Sequence, residues 1–218
     1  KNKPIYLSDN KTILAPASLE GDSWNSFADI SDDNGETWEM SEFVPIRRIN
    51  PNERRIRDRV YNKTFCFGKG IIQPTIWEDD ENIVHMLFRS TSSRIFKSDS
   101  YDMGRTWNLA YDTGLPNNNS GIDAVKLPNG TLVLAYNPRE NIPGMKAQER
   151  LLYYHIQTIT EAAGKNFIFL KIATVHLRIR QLFAMEMIKS MLYIVKTGRR
   201  LFFGILNTKR QSTNRRQL

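Results

Sequence analysis

Cysteine is nearly absent from this chain, Cys66 being the only one. A single thiol excludes an internal disulfide framework and any cysteine metal cluster. Cys66 reads as a small, half-buried hydrophobe rather than a nucleophile. No run of about 18 apolar residues occurs, so no membrane-spanning helix is expected. The chain opens at Lys1 without a charged-then-apolar leader. A signal peptide is therefore absent or removed, or the start is a fragment boundary. Histidine is scarce too: His85, His155 and His176 lack metal-ligand spacing, so neither a metal nor a cofactor is expected. Acidic residues are missing from one region. Residues 146–218 hold no Asp and no Trp, and 14 Lys and Arg stand against 3 Glu, a net of +11. Residues 1–145 hold 17 Lys and Arg against 20 Asp and Glu, a net of −3. The overall charge of +8 thus belongs to the tail. A composition break of that size needs its own explanation before it is read as function.

The first part reads as all-β. Residues 11–18 (KTILAPAS), 24–31 (WNSFADIS), 71–78 (IIQPTIWE), 83–90 (IVHMLFRS) and 94–98 (RIFKS) are short apolar or alternating runs. Residues 121–127 and 131–137 form a further pair around Pro128-Asn129-Gly130. Runs of this length, punctuated by Gly, Asn, Asp and Pro, predict antiparallel hairpins. Many short strands point to a sandwich, barrel or propeller. Residues 47–59 (RRINPNERRIRDR) lack apolar periodicity and are expected to be a solvated loop.

One element repeats. Residues 31–38 (SDDNGETW) and 100–107 (SYDMGRTW) both fit Ser-x-Asp-x-Gly-x-Thr-Trp, and each follows a strand. The Asp can accept backbone N–H bonds across a tight turn. The Gly supplies a positive φ without steric cost, and the Trp ring can fold back onto the hairpin. Repetition of a β unit predicts blades.

This octapeptide resembles the Asp box of sialidases. The runs NKPIYLSDNKTILAPASLEGDSW, GIIQPTIW, VHMLFRSTSSRIFKSDSYDMGRTW and LPNNNSGIDAVKLPNGTLVLAYNP resemble the sialidase-like family of BNR-repeat proteins over about residues 1–140. The resemblance implies a six-bladed propeller, here partial, with a glycan pocket at one end of its channel. It also implies exo-acting glycoside hydrolysis, often of terminal sialic acid, outside the cytosol: secreted, periplasmic or at the cell surface. Asp33, Gly35, Trp38, Asp102, Gly104 and Trp107 are then structural and lie away from the pocket.

A retaining sialidase needs an arginine clamp for the substrate carboxylate, a carboxylic acid, and a tyrosine nucleophile activated by a glutamate. Arg89 and Arg94 are the clamp candidates, because they follow the VHMLF run. Asp123 is a candidate acid, a ligand for a sugar hydroxyl, or a turn residue. Glu20 is a second carboxylate candidate. Asn117, Asn118 and Asn119 can hydrogen-bond sugar hydroxyls or shape a loop, and Gln73 is a polar residue in an apolar run. Two departures stand out. Arg47-Arg48-Ile49-Asn50 is not the Phe/Tyr-Arg-Ile-Pro motif of many sialidases, and residues 1–145 hold no convincing Tyr/Glu pair. The partner expected is a glycan or glycoconjugate, with no nucleic acid; the oligomeric state stays open. One rival is a propeller that holds glycans without cleaving them. Another is a basic-tail binder of nucleic acid or anionic surfaces, carried by residues 209–216 (KRQSTNRR). That rival lacks the aromatic–basic interleaving of known modules.

The resemblance stops near Met145, leaving residues 146–218 as a basic tail, helical only in patches or disordered. Back-translation offers a reason. Read one register on, the codons for residues 156–166 can encode Ser-Asp-Asp-Asn-Gly-Ser-Ser-Trp, and those for 177–183 can encode Ser-Tyr-Pro-Ala-Ile-Ile. A frameshift is the preferred account, and the truncated chain is then expected not to turn over substrate. Sequencing the gene across the codons for residues 137–157 checks it: a missing or extra base is expected, and a sound frame would make the tail a genuine element.

Overall fold

A computed structural model describes residues 2–49, 63–128, 130 and 132–139, together with the backbone of residues 153–159 and 175–176. The remaining positions, including nearly all of the basic tail, lie outside it.

Among the described residues the chain is all-β. Blade 1 is β1 (Ile5–Tyr6), β2 (Ile13–Glu20), β3 (Trp24–Ser31) and β4 (Glu39–Met40). A short parallel pair follows, β5 (Arg47–Ile49) with β6 (Phe65–Phe67). Blade 2 is β7 (Ile71–Glu78), β8 (Val84–Ser90), β9 (Arg94–Ser100) and β10 (Tyr111–Pro116). Blade 3 is β11 (Asp123–Lys126), β12 (Leu132–Tyr136), β13 (Tyr153–Ile159) and β14 (Val175–His176). Each blade is an antiparallel meander whose spatial order follows the chain. That is the repeating unit of a propeller, and the three blades are part of one.

The predicted strands fall where the alternating runs place them, and Trp24–Ser31 and Ile71–Glu78 keep their predicted bounds. Residues 47–59 depart from expectation at their start, where Arg47–Ile49 is a strand. Its partner, Phe65–Phe67, lies far along the chain, and no local period could announce a parallel pairing of that kind. Arg48 fixes it: its guanidinium donates to the carbonyls of Lys69 (2.9 Å) and Trp24 (2.6 Å) and to Asn25 Oδ1 (2.5 Å). Residues 50–62 lie outside the described set.

Two apolar clusters fill the gaps between blades. Leu14, Ala28, Ile71, Met86, Phe88, Phe96 and Trp107 pack together where blade 2 meets blade 1. Trp77, Leu87, Ile95, Ile122, Leu134 and Tyr136 do so where blade 3 meets blade 2. Cys66 is fully buried, and burial pushes its thiol pKa up, against a hydrogen bond from Ser92, as expected of a packing residue. His85 is buried as well, stacked on Trp77 at 5.0 Å. Asp99 Oδ1 lies 2.5 Å from its Nδ1, and Asp79 Oδ2 lies 3.0 Å from its Nε2. Burial raises both carboxyls, but their hydrogen bonds outweigh it and hold them below the usual range.

The two repeated octapeptides join β3 to β4 and β9 to β10. They close in the same way. Ser31 Oγ accepts from the Gly35 amide (2.7 Å), and Asp33 accepts from the amide and hydroxyl of Thr37. Ser100, Gly104, Asp102 and Thr106 repeat these bonds. The Thr37 bonds, with help from Ser31, hold the Asp33 carboxyl at about 2.

Their surroundings differ. The second box is seated on blade 1: Arg105 O accepts from the Glu42 amide, and Trp107 Nε1 donates to Ser41 Oγ (3.2 Å). Arg105 also pairs with Asp32 of the first box at 2.6 Å. Trp107 is accordingly 6% exposed, whereas Trp38, its counterpart, is 45% exposed. The glycines differ likewise. A Cβ on Gly104 (φ +85°) would lie 2.8 Å from Cδ1 of the fully buried Leu14. A Cβ on Gly35 (φ +94°) would meet nothing closer than 3.7 Å. Gly104→Ala therefore carries both a left-handed backbone penalty and overpacking, together about 3 kcal/mol. Gly35→Ala carries only the backbone penalty, about 1 kcal/mol. Urea unfolding of the two variants is expected to show that difference, and equal losses would contradict the seating of the second box.

Candidate functional site

The register of the first hairpins shows which positions are equivalent. The pairs Tyr6↔Ile13, Glu78↔Val84 and Lys126↔Leu132 close the β1–β2, β7–β8 and β11–β12 turns. Counting on equally from Ile13, Val84 and Leu132 reaches Ser18, Arg89 and Asn137. The three blades thus bring Ser18, Arg89 and Asn137 to one rim. The Asp boxes lie at the opposite end of the same strands, because β3 and β9 run antiparallel to β2 and β8.

Blade 2 builds most of this rim. Between Ile72 and Thr75 the β7–β8 register shifts, and the bulge puts Gln73 at φ +49°. That is left-handed backbone on a residue with a Cβ, a strained arrangement that bulges near functional sites often carry. Gln73 is held by β2 through both its backbone and its side chain. Its amide donates to Ser18 Oγ (3.3 Å), and its Nε2 donates to Glu20 Oε1 (3.3 Å). Glu20, the last residue of β2, is exposed. Arg89, directly across from Ile72, is half-buried, and its Nη1 donates to the carbonyl of Asn119 (2.8 Å). Burial lowers the pKa of Arg89, while the Glu20 carboxylate opposes that shift.

The loop after β10 completes the cluster. The Asn117 amide donates to Ser93 O (3.0 Å), and Asn119 takes φ +63°. Asn117 and Asn137 are both 0% exposed and touch through Asn117 Nδ2 and the Asn137 carbonyl (3.4 Å). Seven buried side-chain atoms here have no hydrogen-bond partner among the described residues: Arg89 Nε, Oδ1 of Asn117, Asn118 and Asn119, Ser120 Oγ, and both amide atoms of Asn137. Among the described residues, every such atom lies in this cluster. An unmet buried polar group costs about 1–3 kcal/mol, so seven would together cost on the order of 10 kcal/mol. That is comparable to the whole stability of a domain, about 5–15 kcal/mol. Groups that expensive call for water or a ligand to meet them.

The structure therefore brings Glu20, Gln73, Arg89, Asn117, Asn118 and Asn119 together. It adds Ser120 and Asn137, which the sequence reading did not single out as functional. A polar residue ending the apolar run TLVLAYN was the available signal for Asn137. Two candidates are engaged elsewhere. Arg94 is drawn to Asp112, 4.0 Å away, and to Ser93 O. Asp123, the first residue of β11, accepts from Lys3 Nζ (2.7 Å), Thr75 Oγ1 (3.0 Å) and the Ala124 amide (2.8 Å). Nearby, the Asn2 side-chain amide ties the first strands of blades 2 and 3 together through the carbonyls of Pro74 (2.8 Å) and Ile122 (3.1 Å). No group of three or more His, Cys, Asp and Glu able to hold a metal occurs among the described residues. No helix among them is long and apolar enough to cross a membrane.

Residues 1–178 match the BNR repeat-like domain family, and the chain belongs to it. The match runs past Met145, and β13, paired along β12, lies in the added stretch. No curated protein matches the chain. Among solved structures it is similar to a protein of unknown function from Dyadobacter fermentans, with TM-score 0.54, 16% identity, and coverage of 78% of this chain and 40% of that one. It is also similar to a K499G mutant of the NanB sialidase from Streptococcus pneumoniae, with TM-score 0.51, 18% identity, and coverage of 80% and 23%. The Hadza microbial sialidase Hz136 is a third, with TM-score 0.51, 15% identity, and coverage of 78% and 30%. The chain thus spans 23–40% of the length of these structures. At such identities they show the fold: a sialidase-like β-propeller, present in part.

Gln73→Gly tests the strained bulge. Relief of left-handed strain is expected to stabilise the chain by about 0.5–1 kcal/mol in urea unfolding. A loss of stability would show that the Gln73 side chain holds the bulge in place.

Proposed function

We propose that this protein handles glycans, and that the cluster of Glu20, Gln73, Arg89, Asn117, Asn118, Asn119, Ser120 and Asn137 binds a terminal sugar. The observation that carries this reading is the concentration of unpartnered buried polar atoms at one rim. Sugar hydroxyls donate and accept at once, as amides and hydroxyls do, so a sugar ring can meet such groups in a way an apolar ligand cannot. The rim lies opposite the Asp boxes, and the strained Gln73 is part of it. Membership of a family whose fold is shared with sialidases supports the same substrate class.

In this proposal Arg89 anchors the sugar and Glu20 is the carboxylate that faces it. The amides of Asn117, Asn118 and Asn119 read hydroxyls. Asp123, held by Lys3 and Thr75, is the second carboxylate near the first strands and a candidate acid in a fuller propeller. Exo-glycosidase chemistry, possible for sialic acid or another terminal sugar, belongs to that fuller assembly. The present chain is expected to bind without turnover, since the sequence of residues 1–145 holds no convincing Tyr/Glu nucleophile pair. Non-catalytic glycan binding is the second reading, and residues 1–178 alone fit it equally well.

Titration calorimetry with a panel of methyl glycosides tests the proposal. Arg89→Ala is expected to weaken binding at least tenfold, about 1.4 kcal/mol, while Arg105→Ala at the far rim leaves it unchanged. Equal affinity in the Arg89 variant would remove the cluster from consideration. Release of sugar from any aryl glycoside by this chain would contradict the absence of turnover.

A further inference from the structure

The two faces of blade 1 meet different surroundings. Side chains alternate along a strand, and directly paired residues share a face. Leu14, Ala28 and Ile30 belong to the cluster shared with blade 2. Ile13, Ala15, Ala17 and Leu19 therefore point away from blade 2. Tyr6, paired with Ile13, and Met40, paired with Asp29 opposite Ala15, lie on the same face. Counted equally from Ile13 and Val84, this face is the counterpart of Val84, Met86 and Phe88, which are fully buried in the cluster with blade 1. In blade 1 it stays largely open: Tyr6, Leu19 and Met40 are 60%, 53% and 56% exposed. Phe43, edge-on to Phe27 at 5.7 Å, is exposed as well.

The first Asp box, beside this face, is unseated. Trp107 Nε1 donates across to Ser41 of blade 1, but Trp38 Nε1 turns back to the carbonyl of its own Gly35 (3.1 Å). Gly104 lies over Leu14, whereas the space over Gly35 holds only Trp38 and Ile13 of the same blade. Blade 3 carries the matching seat. Val133 follows Leu132 as Leu14 follows Ile13, so it holds the place of Leu14. Leu132, Leu134 and Tyr136 pack toward blade 2. Val133 and its cross-strand partner Val125 therefore point away from blade 2, and both are partly exposed. One chain thus carries both halves of an Asp-box contact, on outward faces of its first and third blades, where they do not meet.

We propose that the open face of blade 1 docks on blade 3 of a second copy of this chain. Gly35 then sits over Val133 as Gly104 sits over Leu14. The contact continues the blade-on-blade packing that the chain already makes twice. It also removes from water an apolar surface larger than scattered single residues would leave. The contact is heterologous, and it closes on itself when two copies satisfy each other.

Sedimentation velocity of the full chain over a micromolar to millimolar range tests this, with folding of each variant checked by tryptophan emission. A reversible dimer is expected. Met40→Glu, which alters an exposed side chain, is expected to weaken association at least tenfold, and so is Val133→Glu. Val125→Glu repeats the second test should Val133→Glu not fold. An equimolar mixture of the blade 1 and blade 3 variants is expected to associate more tightly than either alone, because one contact in the mixed pair is intact. A chain that stays monomeric throughout the range overturns the inference. So does association that neither substitution weakens, which places the interface elsewhere. Association weakened by Met40→Glu alone also overturns it, since blade 1 would then pair with blade 1, as does a mixture no tighter than its parts.

Discussion

The seating of the second Asp box on blade 1 is the contact on which the rest of this structure depends. Gly104 has to be glycine twice over, once for its positive φ and once because Leu14 occupies the space a Cβ would need. Trp107 then closes the gap, with its indole N–H on Ser41, and Arg105 reaches across to Asp32. These contacts lock blade 2 against blade 1 at one end of the strands. With that end fixed, the opposite ends of β2, β7 and β8 are brought to a common rim. The polar cluster is thus positioned by a motif that contributes no atom to it.

That separation lets one rim tolerate poor internal pairing. The Asp-box end is well satisfied: Ser, Asp and Thr side chains bond the turn amides, and the Asp33 carboxyl is held at about 2. The other end holds a bulge with left-handed Gln73, left-handed Asn119, and every unpartnered buried side-chain atom among the described residues. Left-handed backbone occurs at both ends, with Asn34 (φ +62°) and Met103 (φ +60°) inside the Asp boxes, but unmet buried polarity among the described residues is confined to one rim, the arrangement expected where stability is given up for recognition.

Much of the fold was legible because its signals are local. Alternation placed the strands, the turn residues separated them, and the repeated octapeptide with its surroundings identified the family. The parallel pairing of Arg47–Ile49 was not legible, since Arg48 acts on carbonyls that neighbour it only in space. Part of the site could be read from residue type. Arg89, Gln73, Glu20 and the three consecutive asparagines were polar groups at the ends or middle of apolar runs. Their grouping depends on which strand ends share a rim. The same logic explains why Arg94 and Asp123, as eligible by type as Arg89 and Glu20, stand engaged with Asp112 and Lys3 instead. Asn137 escaped notice because its role follows from the register that makes it the blade 3 counterpart of Arg89.

The central claim is that the rim of Arg89 and the asparagine loop, not the Asp-box end, is where a glycan binds. Amide and side-chain NMR during titration with a methyl glycoside tests it most directly. The account predicts shifts in the side-chain amides of Asn117, Asn118, Asn119 and Asn137 and in Arg89 Nε–H, with the Trp107 indole unmoved. Shifts confined to the Asp-box end, or an unperturbed asparagine cluster at saturating sugar, would contradict it.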